Sequence, residues 1–580
     1  MASRKSSQES YSNNDSLAQR RAFMKLSGGC AALGSTSLLS QILSLQLTGA
    51  AYANSGNTST SGYKALVCVF LNGGMDTFDM LTPFENAEWA TYNSVRLFAA
   101  RPKANPPSGS TATAVTAENP ELIPLRIDRN VSTTSGRQLG LNGLMPELAT
   151  LYNQGDLAFL ANVGSLVRPT NRTDYNNNVS RPLGLFSHAD LLKHWQTSVP
   201  QSRSQATGWA GRMADLINGT SNPNSKVSMN IALGTDNLFQ TGTSVLPYVV
   251  GSGGVTRLKA YRFFTDPETP IPSNPNAWSD ISPAARIHNR VLNGVRIDAS
   301  GNVFHNGTLA EQNAGLLSAM YPTADTAAGE LYSNLLQRTL ALKKRASIDV
   351  ADMFSDATSI SSTGGVISGP GALPLTAQQG FSQIASATSG PTAISSTMRN
   401  LSANLNMVAR IIQARSAFGQ QRQIFFVNVG GWDMHDYLRS NMASAMPGLS
   451  KALKAFYDAT VGMGVSNDVV TFTASDFGRT LNPNSTGTDH GWGGNQIIMG
   501  GSVVGGKVYG DYPTSLAANQ LIDLGRGRLI PSTSVDVYNA ELARWFGIPN
   551  NSALQTILPN IRNFYADGAT TMPLGMLPSG

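Results

Sequence analysis

The chain has 580 residues and a formal charge of +6; 41% of its residues are hydrophobic and only 13% charged, about half the usual ~25%. This composition supplies a sizeable core under a neutral surface rich in Gly, Ser, Thr and Asn, and its two cysteines exclude a disulfide framework within the mature chain. The basicity points to no nucleic-acid partner, because residues 1–53 carry five basic and two acidic residues and without them the charge falls from +6 to +3.

Arg20-Arg21-Ala22-Phe23-Met24-Lys25 is a twin-arginine signature, followed by a weakly apolar segment from Leu26 to Leu47 and by Ala51-Tyr52-Ala53, a small-x-small cleavage pattern. The expectation is an export signal over 1–53 cut after Ala53, read by the twin-arginine translocase. The product would be periplasmic or secreted, with no permanent membrane anchor. Ser and Gly throughout the apolar segment argue against a membrane span, and Ser27 stands where a lipidation site at Cys30 wants Leu. Cys68 then remains alone in an apolar strand, as an inert core thiol.

The first strand, Lys64 to Leu71, runs into Asn72-Gly73-Gly74-Met75-Asp76, with Asp79 behind it. A polar loop or hairpin follows over 101–135. Leu144 to Tyr152 has helical spacing with Pro146 in the first turn, and Gly155 to Gly164 is a second buried strand. Ser187, His188 and Asp190 crowd into the next loop. They read either as a helix cap, with Leu191 and Trp195 buried behind it, or as a nucleophile and substrate contact. His194 reads as a surface or packing residue.

Residues 216–395 look like an insertion capping the core. They carry strand-like pieces at 227–233 and 244–250, a helix around Leu331 to Phe354, and a Ser/Thr/Gly-rich linker. His288 and His305 lie there without acidic company and read as structural or exposed. The core resumes with a helical face of Leu401, Leu405, Val408 and Ile412, then the strand Gln423 to Val429 leading to Gly430-Gly431-Trp432-Asp433-Met434-His435. A second helical face of Leu449, Leu453, Phe456 and Tyr457 precedes the strand Val469 to Thr473, which ends in Asp476-Phe477-Gly478-Arg479. A Gly-rich loop, Thr488 to Gly494, carries Asp489 and His490; Gln496 to Met499 and Lys507 to Tyr509 read as a closing hairpin; Tyr538, Leu542, Trp545 and Phe546 mark a helix stopped by Gly547 and Pro549. The predicted fold is α/β, a mostly parallel central sheet flanked by helices, with core halves at 54–215 and 396–580 around the cap.

Three apolar strands tipped with acids place carboxylates at the sheet edge where ligands bind in open parallel sheets. Singly, each acid reads as a turn or capping Asp. Together Asp76, Asp433, His435, Asp476, Asp489 and His490 suit a divalent ion, Zn²⁺ or Mn²⁺, with Mg²⁺ or Ca²⁺ at an all-oxygen position. Two such ions would clamp the attacking and leaving oxygens of a phosphoryl or sulfuryl ester. Gly501 to Lys507 mimics a phosphate-binding loop, but Val508 stands where Ser or Thr is needed. No serine-hydrolase elbow, zincin motif or dinucleotide fingerprint occurs.

At these motifs the sequence resembles the alkaline phosphatase and sulfatase superfamily. It resembles more closely a bacterial family of twin-arginine-exported proteins of unknown function allied to it, through Gly73 to Asp76, Gly430 to His435, Ser475 to Thr480 and Thr488 to Gly491. The resemblance spans most of residues 64–565. It implies an alkaline phosphatase-like fold, one metal site with Asp76 and Asp476, and another with Asp433, His435 and His490. Phe477 departs from the superfamily, which has His there, and Thr77 follows the first acid in place of Gly. No nucleophile motif is matched. The implied function is an exported metal-dependent hydrolase of a small anionic phosphate or sulfate ester holding one or two divalent ions, with Ser187 or water attacking and Arg479 or His188 binding the anion. The alternative is a non-catalytic exported protein of the same fold that binds a glycan or a cell-surface partner, which the low charge and Phe477 favour.

Overall fold

The computed structural model describes residues 62–110, 114–125, 138–225, 227–255, 295–297, 303–305, 350–351, 353–358, 361–363, 366–390, 392–565 and 574–578. The export signal, His288 and nearly all of the helix expected around Leu331 to Phe354 lie outside them. His305 ends a short strand, Val303–His305. No helix among the described residues is long and apolar enough to cross a membrane.

The chain forms a mixed α/β fold around a nine-stranded sheet. Its centre is β1 (Lys64–Leu71), an unbroken apolar run. Such runs belong to strands covered on both faces. Ala65, Val67, Val69 and Leu71 enter one core cluster, while Leu66, Cys68 and Phe70 enter the other. The first face is covered by α2 (Pro146–Gln154), α5 (Leu375–Ser386), α6 (Ser396–Gln413) and α7 (Leu438–Gly462). The second is covered by α4 (Trp209–Ser221) and α8 (Val535–Phe546). Two further helices, α1 (Asn86–Arg96) and α3 (His188–Thr197), lie nearer the sheet edge described below. Cys68 is a free buried thiol whose pKa burial pushes up, as suits an inert core residue.

Beside β1 lie β5 (Arg422–Val429) and β6 (Val469–Ser475), both parallel to it. Beyond β5 come β3 (Asn230–Leu233) and β4 (Tyr248–Val250), again parallel. These two strands, Asn230–Leu233 and Tyr248–Val250, extend the central sheet into residues read as the opening of a cap. On the other side β7 (Gly494–Met499) runs antiparallel between β6 and β2 (Leu157–Gly164). β8 (Lys507–Tyr509) and β9 (Thr533–Ser534) both lie parallel to β2. The hairpin expected of Gln496–Met499 and Lys507–Tyr509 does not exist, because β2 sits between them and accepts both.

Helix α8 carries a buried acid that should govern pH behaviour. Asp536 is fully enclosed and burial lifts its pKa to about 7, against a hydrogen bond with Ser534 and the charge of Arg212; its Oδ1 has no partner among the described residues. A raised carboxyl favours the folded state below its unfolded pKa, and that stability is lost as pH rises through about 7. Asp536→Asn is expected to remove this component, gaining about 2 kcal/mol over the parent between pH 5 and pH 8. Urea titrations at the two pH values measure it; equal pH slopes for both chains would refute the assignment.

Candidate metal centre

Register fixes where the loops leave the sheet. Leu71 pairs with Val429 on one side and with Ser475 on the other, so the C-terminal ends of β1, β5 and β6 stand abreast. The loops that follow are tied together at once. Asn72 N–H donates to Val429 O at 2.9 Å, Met75 N–H to Ser475 Oγ at 3.0 Å, and Ser475 Oγ to Leu71 O at 2.6 Å. Gly73 and Gly74 permit this closeness. Both have positive φ, and a Cβ would fall 2.6 Å from Asp433 N at the first and 2.4 Å from the Phe477 ring at the second.

Arg479 fastens the loops further. Its guanidinium is fully buried and donates to Gly74 O (2.7 Å), Gly73 O (2.5 Å), Thr488 O (2.9 Å) and Trp432 O (3.3 Å), and it is ion-paired with Asp433. It therefore holds Asp433 from inside the protein and has no surface left for a substrate anion. Burial works to raise the Asp433 pKa, but the hydrogen bond and charge of Arg479, with those of His188 and His435, hold it below the usual carboxylate range.

Three imidazoles surround that carboxylate. His435 Nε2 lies 3.1 Å and His490 Nε2 3.5 Å from Asp433 Oδ1, and His188 Nε2 lies 3.4 Å from Oδ2. His435 Nε2 and His490 Nε2 are 2.9 Å apart. The opposite nitrogens fix the tautomers. His490 Nδ1 is 2.7 Å from Phe186 O, an acceptor only, so it carries the proton. His188 Nδ1 meets Asp476 Oδ2 at 2.7 Å and His435 Nδ1 meets Asp489 Oδ1 at 3.2 Å, both carboxylates. Each ring, when neutral, then turns an Nε2 lone pair toward Asp433. Metal-bound histidines are held this way, each donating its other ring N–H to a carboxylate or a backbone carbonyl.

Two observations fit a cation there. The ligand atoms of His188, Asp433 and His490 all lie within 4.8 Å of one another, near the ~3–4 Å spacing of donors bound ~2.0–2.2 Å from one ion. His188 Nε2 is buried with no hydrogen-bond partner among the described residues. Desolvation, with the nearby charges of Arg479, His188 and His435, lowers the His490 pKa against the Phe186 hydrogen bond and keeps its lone pair free. The site is open on one side: the Asp433 side chain is 47% and that of His435 40% exposed.

The structure thus gathers Asp433, His435 and His490 with His188, which sequence reading had placed among anion-binding or catalytic groups. Asp476 and Asp489 are neighbours of the histidines. Burial raises the Asp476 pKa against hydrogen bonds from His188 and Gly73; burial acts likewise on Asp489, but Asn484, Arg526 and His435 outweigh it and hold that carboxyl low. Asp76 does not join them. It is buried, Arg96 holds its Oδ2 at 2.8 Å, and its Oδ1 accepts from Asp79 N–H, so both oxygens of this expected partner of Asp476 are already engaged by the protein. Ser187 precedes α3 but makes no cap hydrogen bond; the nearby Asp190 carboxylate is held by Arg203. His194 is buried, 3.2 Å from Ser165 Oγ, a packing residue.

A DUF1501 domain, described as a protein of unknown function, is found at residues 375–522. That match takes in β5, β6 and β7 with Asp433, His435, Asp476, Arg479, Asp489 and His490. Asp76 and His188, which come from β1 and α3, lie before it. No curated protein matches the chain.

Proposed function

We propose that the chain is an exported hydrolase of phosphate or sulfate esters that works with one divalent cation. The observation that carries this reading is the convergence of three histidine Nε2 atoms on Asp433 at the open C-terminal edge of the sheet. A set of three nitrogens and one carboxylate suits Zn²⁺ or Mn²⁺ better than Mg²⁺ or Ca²⁺. When bound, such an ion would polarise an ester oxygen and acidify a water. The chain's own residues do the rest of the positioning: Arg479 anchors Asp433, Asp476 and Asp489 orient two imidazoles, and the Phe186 carbonyl orients the third. Arg526, half exposed and 2.6 Å from Asp489 Oδ2, is the cation best placed to meet an ester anion. Water is the nucleophile of this reading.

The alkaline phosphatase-like ancestry belongs to the same proposal, supported by acid-tipped parallel strands. Export by the twin-arginine route is supported by Arg20-Arg21 and the cleavage pattern ending at Ala53. Elemental analysis of the folded, exported protein should find about one transition-metal ion per chain, and a panel of phosphate and sulfate monoesters and diesters should include a substrate whose cleavage stops on chelation. Metal without cleavage would turn the reading toward a binding protein for a glycan or surface partner. Absence of both would remove it.

A further inference from the structure

A second cavity, of about 700 Å³, opens between α1, the segment Pro107 to Ser110 and the start of α7, lined by Asn93, Leu97, Phe98, Ser108, Ser110 and Arg439 among others. Its volume falls within the ~300–1,000 Å³ of small-molecule sites. Leu97 holds a left-handed backbone, φ 51°, and is 63% exposed. That conformation is unfavourable for a branched side chain, and it leaves an apolar surface at the cavity beside the half-buried Phe98.

Two arginines behind the cavity are already committed to carboxylates. Arg96 is paired with Asp76 at 2.8 Å, and Arg101 grips Asp79 through two hydrogen bonds of 2.7 and 2.6 Å. Arg439 stands near Arg101 and Asp79 as a third guanidinium. Its Nε is buried without a hydrogen-bond partner among the described residues, and burial together with the like charge of Arg101 pulls its pKa down. A partly enclosed cation of this kind is stabilised by an anion that takes its fork of donors.

We propose that the cavity binds an amphipathic anion, a ring carrying a sulfate or carboxylate, with the anionic group on Arg439 and the ring against Leu97 and Phe98. The serine hydroxyls of Ser108 and Ser110 suit polar substituents on such a ring. Arg439 follows His435 by four residues, which limits their Cα separation to about 15 Å. The two sites are nonetheless separate, and this one needs no metal.

The test uses naphthalene-2-sulfonate and the folded chain, followed by calorimetric titration. Saturable binding of one molecule per chain is expected, at least tenfold weaker in Arg439→Gln and abolished in Ser94→Trp, which fills the cavity from the exposed face of α1, while His435→Ala binds as the parent does. Melting curves confirm that each variant is folded, and Ser94→Trp decides the matter if Arg439→Gln is not. Undiminished binding in Arg439→Gln and Ser94→Trp, loss of binding in His435→Ala alone, or no saturable binding to the parent would overturn the proposal.

Discussion

Replacing Arg479 with Leu is expected to destabilise the chain by about 3–5 kcal/mol, the range for removing one partner of a buried charged network. Leu is three heavy atoms smaller and cannot fill the place of the guanidinium, so the loss combines a buried void with missing polar contacts. Four carbonyl oxygens, those of Gly73, Gly74, Trp432 and Thr488, lose their donor at once, and buried acceptors left bare cost about 1–3 kcal/mol each before relaxation. Asp433 loses the guanidinium that keeps it ionised, so the carboxylate that faces the three histidines becomes easier to protonate. Arg479→Lys should recover little, because one ammonium cannot reach carbonyls on three loops in the plane that a guanidinium spans. Urea titration gives the stability change. A loss below 1 kcal/mol for Arg479→Leu would mean that the loops are held by the sheet alone and that Arg479 is a passenger.

The strands were legible because their burial on both faces writes continuous apolar runs, and β1, β2, β5 and β6 all appear where such runs stand. Helices α2, α6, α7 and α8 showed through their spacing for the same reason, one buried face each. Neighbours in the sheet were not legible. Gln496 and Lys507 are close in the chain, yet β2, which lies far earlier, separates their strands, and no local pattern records that. The acid tips of β5 and β6 stand together at the sheet edge, since a polar group ending an apolar strand has nowhere else to go. The roles of individual groups depended on partners that spacing cannot show. Asp76 looks like Asp433 in sequence, but Arg96, on the helix that follows it, claims its carboxylate. His188 reads with Ser187 and Asp190 as a helix cap or a substrate contact because its partner Asp476 is 288 residues away. A buried Arg in the Phe477-Gly478-Arg479 turn was the one available hint that Asp433 would have an internal counter-charge.

Asp476→Asn is expected to weaken divalent-metal binding by about 10–100-fold, the range for losing the partner of a metal-ligating histidine, with little change in fold. The reason lies in which atom faces which donor. Asp476 Oδ1 accepts from Gly73 N–H at 3.2 Å and Oδ2 from His188 Nδ1 at 2.7 Å. In the Asn variant the remaining oxygen is retained by Gly73 N–H, which turns the amide nitrogen toward the ring. His188 Nδ1 must then become the acceptor, its proton moves to Nε2, and the lone pair aimed at the centre is lost. Asp489→Asn should act on His435 in the same way but less strongly, because that contact is longer, 3.2 Å, and lies in a more exposed place. His188→Ala should lose at least as much affinity as Asp476→Asn, and the double variant no more than His188→Ala, since the carboxylate works only through the ring. Zn²⁺ and Mn²⁺ titrations of the purified chain read all four. Additive losses in the double variant, or a parent-like affinity in His188→Ala beside a clear loss in His435→Ala, would place His188 outside the ligand set and leave Asp433, His435 and His490 as the centre.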